Sequence, residues 1–204
     1  MSIGRFDFSC IGWDGRLDSV LEIFAENVCY EIAPNNYRKP RTQIELESTL
    51  ESSLVLDNWQ DIRQRNIYTP VFNSYQREYK KFDFHRYSEL KKEIREKGVL
   101  LPKGQLLFRG VCSDNQNDAW THPVSTTLSP YIAVYHALKN GYGKHSKVYV
   151  IETPLKHDFK AIYGPFGKDH KFGHEFELLV YFNRRPTTIE TKVAGGLEIH
   201  LLRW

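Results

Sequence analysis

The chain has 204 residues, room for one large domain or two small ones with a sizeable core. Its formal charge of +3 singles out no partner, and three cysteines without a C-x-x-C spacing argue against a disulfide framework or a cysteine zinc site and suit a reducing cytoplasm. The first residues lack an apolar core and no run approaches the roughly eighteen apolar residues of a membrane span, so neither a conventional signal peptide nor a transmembrane helix is expected.

Charge is unevenly spread. Residues 1–59 hold 5 basic and 10 acidic side chains, residues 60–104 hold 11 and 6, and residues 105–204 hold 12 and 9. An acidic start gives way to a basic middle. Asp18 is positioned to cap a short helix whose apolar side is Val20, Leu21, Ile23, Phe24 and Val28. Residues 33–41 read as a loop by composition. A helical pattern then runs from Thr42 to about Arg65, with Ile44, Leu46, Leu50, Leu54 and Trp59 as its expected core. Further helices start near Pro70 and near Tyr87, the latter ending at Gly98. In Tyr68–Tyr87, aromatics alternate with Arg77, Lys80, Lys81 and Arg86. Such mixing suits a helix that packs its rings inward and leaves its charges in water, and it also suits a nucleic-acid surface.

The pattern changes after residue 100. Gln105–Val111, Lys147–Thr153, Glu175–Phe182 and Leu197–Trp204 are short β-rich runs, with Gly, Pro and Asn between them. Ser129–Asn140 is the one good helix of this half, opening on Ser-Pro and closing at Asn140-Gly141. The expected division is a mostly helical region over 1–99 and a β-rich region over 100–204, an α+β arrangement.

Three short pieces stand out for chemistry. Leu106-Leu107-Phe108-Arg109-Gly110-Val111 places an arginine inside an apolar strand, where it needs anionic or multiple acceptors, and the glycine after it lets a ligand approach the backbone. Ser125-Thr126-Thr127 is a run of three hydroxyls leading into a Leu-Ser-Pro helix start. Strand propensity explains the threonines and an N-cap explains Ser129, but neither explains three hydroxyls in a row. Glu175-Phe176-Glu177 opens an apolar strand, and strand alternation puts both carboxylates on one face. Burying two like charges side by side is costly, so the pair needs a reason. His170 and His174 are four apart, but Gly173 and the loop composition oppose the helix a zinc site would need, so no metal is expected. His122 and His136 sit near the hydroxyl run, the second on the helix that follows and more in keeping with packing than catalysis.

The order Arg109, Ser125-Thr126-Thr127, Glu175-x-Glu177 resembles the ADP-ribosyltransferases of the Arg-Ser-Glu class, over roughly residues 100–204. The resemblance implies a core of two packed sheets around an NAD cleft, and an enzyme that cleaves NAD and transfers ADP-ribose. It implies that Glu177 stabilises the oxocarbenium-like ribose, Arg109 holds the NAD phosphates, and the Gly110 backbone holds the nicotinamide amide. Ser125 would orient Glu177 and the ribose, with Thr126 and Thr127 completing the cofactor-binding motif. Glu175 would position and deprotonate the acceptor. The loop Ile162–Gly173, with Tyr163, Phe166 and Phe172, matches the place of the target-recognition loop. The ring that stacks on nicotinamide is left open among Tyr131, Tyr135 and Phe166. A glutamate at position 175 goes in this family with protein arginine as acceptor, and RNA or DNA bases remain alternatives, as do water (an NAD glycohydrolase) and an inactive binding module. The expected setting is a bacterial toxin or phage-encoded modifier in the cytoplasm, that of a host cell included. Its expected partners are NAD, a target protein or nucleic acid, and an antitoxin or immunity protein, with no membrane.

Overall fold

A computed structural model of the chain describes residues 5–13, 15–16, 19–29, 41–65, 69–78, 81–112, 120–138, 146–156, 158–164 and 175–203. The first part is helical. Helix α1 spans Val20–Phe24 and continues as a π-turn over Ala25–Cys29. Asp18 lies outside the described residues, and the residue before the helix is Ser19.

The single helix expected over 42–65 is two, α2 at Arg41–Glu51 and α3 at Leu54–Arg65. The break falls at two serines. Ser52 Oγ donates to the Ser48 carbonyl, and Ser53 Oγ accepts from the Val55 amide at 3.2 Å, capping the new helix. Leu46, Leu50 and Trp59 are buried as expected, but Ile44 is 54% and Leu54 77% exposed. Ile44 stands two positions, about 200°, from Leu46 on the helix, and so faces away from the buried side. Leu54 begins the second helix, beyond the break.

Helix α4, Pro70–Arg77, and helix α5, Tyr87–Lys97, form a pair. Glu93 of α5 is buried within a run of charges, and its carboxylate accepts the Phe72 amide at 2.7 Å and the Val71 amide at 3.4 Å. An anion at a helix N-terminus satisfies amides that have no partner in the helix. Glu93 therefore fixes where α4 begins and which way it points. After α5, Gly98 is extended rather than left-handed. Its glycine is demanded by space, since a Cβ there would lie 2.3 Å from the Ile94 carbonyl oxygen.

The strands are β1 Val99–Leu100, β2 Leu106–Cys112, β3 Val124–Thr127, β4 Ser146–Glu152, β5 Lys160–Tyr163, β6 Glu177–Val180, β7 Thr187–Ala194 and β8 Leu197–Arg203, with helix α6 at Pro130–Leu138. Ser129 caps α6, its Oγ accepting the Ile132 amide at 3.4 Å. These strands are hydrogen-bonded in one continuous order, β1-β5-β6-β3-β2-β4-β8-β7. Its middle is narrow: β2 and β3 share the single register pair Phe108–Thr127, whereas β2 and β4 pair over seven residues. One core reaches from Phe6 and Phe8 through Leu46 and Trp59 to Leu202, and Phe8 and Phe24 both pack on Phe108 beneath the seam. A smaller cluster joins Phe72 and Tyr75 of α4, Leu90 and Ile94 of α5, Ile162 of β5 and Leu179 of β6. Phe72 and Tyr75 of the aromatic stretch thus pack inward, as the apolar face of an amphipathic helix does. None of the described helices is long and apolar enough to cross a membrane.

Candidate functional site

The narrow seam assembles the site. Strands β6, β3 and β2 are neighbours, so Glu177, Ser125 and Arg109 come together although they lie far apart in sequence. Past the Phe108–Thr127 pair, the next bond across the seam comes from a side chain: Arg109 Nη1 donates to the Ser125 carbonyl at 2.7 Å. A carbonyl without a ladder partner gains a charge-assisted bond, and the arginine is locked against the strand that carries the serine.

Glu177 is the first residue of β6 and half-buried. Its Oε1 accepts the Ser125 hydroxyl, and its Oε2 accepts Gln76 Nε2 of α4 at 3.0 Å. Both carboxylate oxygens are therefore oriented by neutral donors from two other elements. Gly164, at the end of β5, leaves room for this arrangement: a Cβ there would lie 2.6 Å from Gln76 Nε2. The Gly164 amide in turn donates to the Glu177 carbonyl at 2.9 Å.

Beside Gln76, Tyr75 is buried at the same spot. Burial pushes its hydroxyl up from an ordinary value of 10 to about 12, and the Glu177 charge adds to the rise. Arg109 and a hydrogen bond with Ser125 act the other way. The native chain holds this proton more tightly than the unfolded chain does. Its contribution to stability is complete below pH 10 and is lost as pH rises through about 12. Two pH units correspond to about 2–3 kcal/mol. Denaturant unfolding on either side of this window should show the wild type losing more stability with rising pH than Tyr75→Phe; equal losses would remove Tyr75 from the buried position described here.

Glu175 and Glu177 do not share a strand face. The strand starts at Glu177, and Phe176 has φ of 46°, a left-handed backbone that a bulky residue rarely adopts. Holding it there costs about 1–3 kcal/mol, and the surroundings over-determine it. Phe176 is buried, its carbonyl accepts the Leu128 amide at 3.3 Å, and Thr127 Oγ1 donates to the Glu175 carbonyl at 2.6 Å. The kink gives the two carboxylates different neighbours. The Glu175 carboxylate lies 4.0 Å from Nε2 of His136 on α6.

Several sequence-based assignments change. Only Ser125 of the hydroxyl run meets the carboxylate. Thr126 donates to the Leu178 carbonyl at 2.8 Å, and Thr127 donates to the Glu175 carbonyl and accepts the Ser129 amide at 2.9 Å, so both threonine hydroxyls bond main-chain groups. Gly110 lets α6 pack against β2: a Cβ there would lie 1.7 Å from the Ala133 carbonyl oxygen. Tyr163 is not a recognition-loop residue. It is fully buried in β5, opposite Leu178, with its ring 6.4 Å from that of Trp59. Tyr131 is also fully buried, and its hydroxyl meets Thr42 of α2, which removes it from the open rings. Tyr135 is exposed on α6 with its ring against His136. Phe166, Phe172, His170 and His174 lie outside the described residues. Among the described residues no cluster of three or more His, Cys, Asp or Glu is placed to hold a metal.

Gln76, Tyr75 and His136 complete the site. Tyr75 and Gln76 were legible as helix residues but not as site residues, because nothing local says which strand a helix will cover.

No known protein family matches the chain, and no curated protein matches it. Among solved structures, the chain is similar to the Vis toxin, an ADP-ribosyltransferase from Vibrio splendidus, at 13% identity over 97% of this chain and 90% of that one, with a TM-score of 0.39. It is likewise similar to ADP-ribosyltransferase Vis in complex with agmatine, at 14% identity over 96% and 89% of the two chains, TM-score 0.37. A third structure, Vis in complex with the M6 inhibitor, is similar at 15% identity over 97% and 90%, TM-score 0.35.

Proposed function

We propose that this chain is a mono-ADP-ribosyltransferase that cleaves the nicotinamide–ribose bond of NAD and passes ADP-ribose to an acceptor, with protein arginine as the acceptor class. The observation that carries the reading is the Glu177 carboxylate, held through both oxygens by Ser125 and Gln76 beside the Arg109 guanidinium. Cleavage builds positive charge on the ribose, and a fixed carboxylate is the group that stabilises such charge without having to reorganise. Arg109 donates to the Ser125 carbonyl and, in this reading, its guanidinium also meets the diphosphate. The Gly110 backbone would take the nicotinamide amide. Tyr135 is the ring among the described residues left to stack on nicotinamide, since it alone of Tyr131 and Tyr135 is exposed.

Glu175 is the acceptor-side group. Its separation from the Ser125–Glu177 pair by the Phe176 kink, and its nearness to His136, suit a second carboxylate that handles a proton while the first handles the ribose. Glu175→Gln should then separate two activities. Hydrolysis of NAD by water should persist, while transfer to an arginine acceptor should fall by a further factor of about 10²–10⁴, the usual contribution of a positioned base. The assay is nicotinamide release and label transfer side by side for wild type and variant. Equal loss of both would contradict the acceptor role. Labelled NAD in a cell lysate, followed by protease or nuclease, identifies the acceptor: label lost to protease supports protein, and label lost to nuclease moves the acceptor to RNA or DNA.

A further inference from the structure

A cleft lies at the end of β6 away from Glu177. Glu177 and Leu179 alternate onto the strand face that α4 and α5 cover, and Tyr181 packs against the same cluster of rings and aliphatics. Tyr181 is four residues, about 13 Å of extended chain, from Glu177. A cleft of about 650 Å³ opens there, between the end of α5, the segment entering β5 and the turn after β6. That volume falls within the range of small-ligand sites.

Its chemistry is divided. Ile94 and Phe159, both buried, and the half-buried Tyr181 make an apolar, aromatic floor. Arg95, Lys160 and Arg184 stand around it against one carboxylate, Asp158. Lys160 Nζ donates to the Arg95 carbonyl at 2.8 Å, which holds the ammonium at the end of α5 with further protons to donate. Lys91 Nζ lies 4.6 Å from the centre of the Tyr181 ring, adding a cation to the same wall. Three cations to one carboxylate leave the lining net positive, and a positive rim favours an anion. An aromatic floor with donors confined to the rim matches a planar ring that carries its negative charge at one end.

We infer that this cleft binds a nucleotide unit, its base on the Phe159–Tyr181 floor and its phosphate among Arg95, Lys160 and Arg184. The unit is either a free mononucleotide or one residue of a single-stranded nucleic acid, whose binding sites combine stacking rings with a basic track in the same way. The inference does not depend on NAD chemistry at Glu177.

Fluorescence polarisation tests it, with three labelled probes: adenosine monophosphate, a single-stranded RNA of about twelve nucleotides, and an oligoglutamate of equal length. The nucleotide probes should bind, and the double variant Arg95→Glu/Arg184→Glu should weaken them at least about tenfold, the loss expected for charge-assisted phosphate contacts. Arg184→Gln, a milder change, should give a smaller loss in the same direction and serves if the double variant does not fold. Arg41→Gln, an exposed cation of α2 that lines neither site, should leave probe binding unchanged. RNA bound more tightly than the mononucleotide, with affinity falling steeply as salt rises, assigns the site to a strand; equal affinities assign it to a free nucleotide. Wild-type binding by Arg184→Gln and the double variant overturns the inference. So does equal weakening by Arg41→Gln, or oligoglutamate binding as well as the nucleotides do. Nicotinamide release by the double variant, measured separately, reports on the first site and keeps the two readings apart.

Discussion

Glu177→Gln is expected to abolish NAD cleavage in a chain that still folds. The substitution keeps the side chain's shape and removes its charge. In the wild type one oxygen accepts from Ser125 and the other from Gln76. A glutamine amide offers one acceptor and one donor, so one of these neighbours meets a donor where it had an acceptor. Glu177 is half-buried, so water relieves part of that mismatch and the fold persists. The rate has no such relief. Positive charge developing on the ribose loses the carboxylate beneath it, and losing one electrostatic partner of this kind costs about 10²–10³ in rate. Nicotinamide release measured beside a melting curve separates the two effects. A folded variant that releases nicotinamide at the wild-type rate would remove Glu177 from the chemistry.

The largest effect on stability is expected at Gly110. An alanine there would place its Cβ 1.7 Å from the Ala133 carbonyl oxygen, 2.7 Å from the Ala133 carbonyl carbon and 2.8 Å from the Ala137 amide nitrogen. All three are backbone atoms of α6, which cannot swing aside as a side chain can. Either the whole helix moves off β2 or the strand bends, and both disturb a close-packed interior. Overpacking typically costs 1–3 kcal/mol, and a backbone clash of this depth belongs at or above about 3. For a domain of this size that lowers the melting temperature by about 6–12 °C or more. Arg109 precedes the glycine on the same strand, so NAD cleavage should fall with it. A destabilisation below about 1 kcal/mol in urea unfolding would show that α6 is not seated on β2 as described.

Much of the site was readable in the sequence because strand order did the assembling. Arg109 and Glu177 lie on apolar β-rich runs and Ser125 on a hydroxyl-rich one, and three neighbouring strands bring them together. The start of α6 was readable from Ser129-Pro130, and the end of α5 from Gly98, although that glycine serves space rather than a left-handed turn. Other features carry no local signal. Glu93 sits among lysines and glutamates that read as a solvated face, yet it turns inward to hold the first amides of α4. Gln76 is an ordinary helix residue until α4 is laid over β6. The kink at Phe176 defeats strand alternation, because left-handed backbone there is imposed by Thr127 and Leu128 from outside the segment. Strand β1 is two residues long and β7 is mostly exposed, so neither shows the apolar alternation that marks a half-buried strand.

The central claim is that this chain breaks the nicotinamide–ribose bond. The direct measurement is nicotinamide released from NAD by the purified wild-type chain, alone and with free arginine, set against Glu177→Gln. The wild type should release nicotinamide, faster with arginine present, and the variant should release at least about a hundredfold less, the lower end of the loss expected for one electrostatic partner. No release from a folded wild-type chain, even with a cell lysate supplying acceptors, would contradict it.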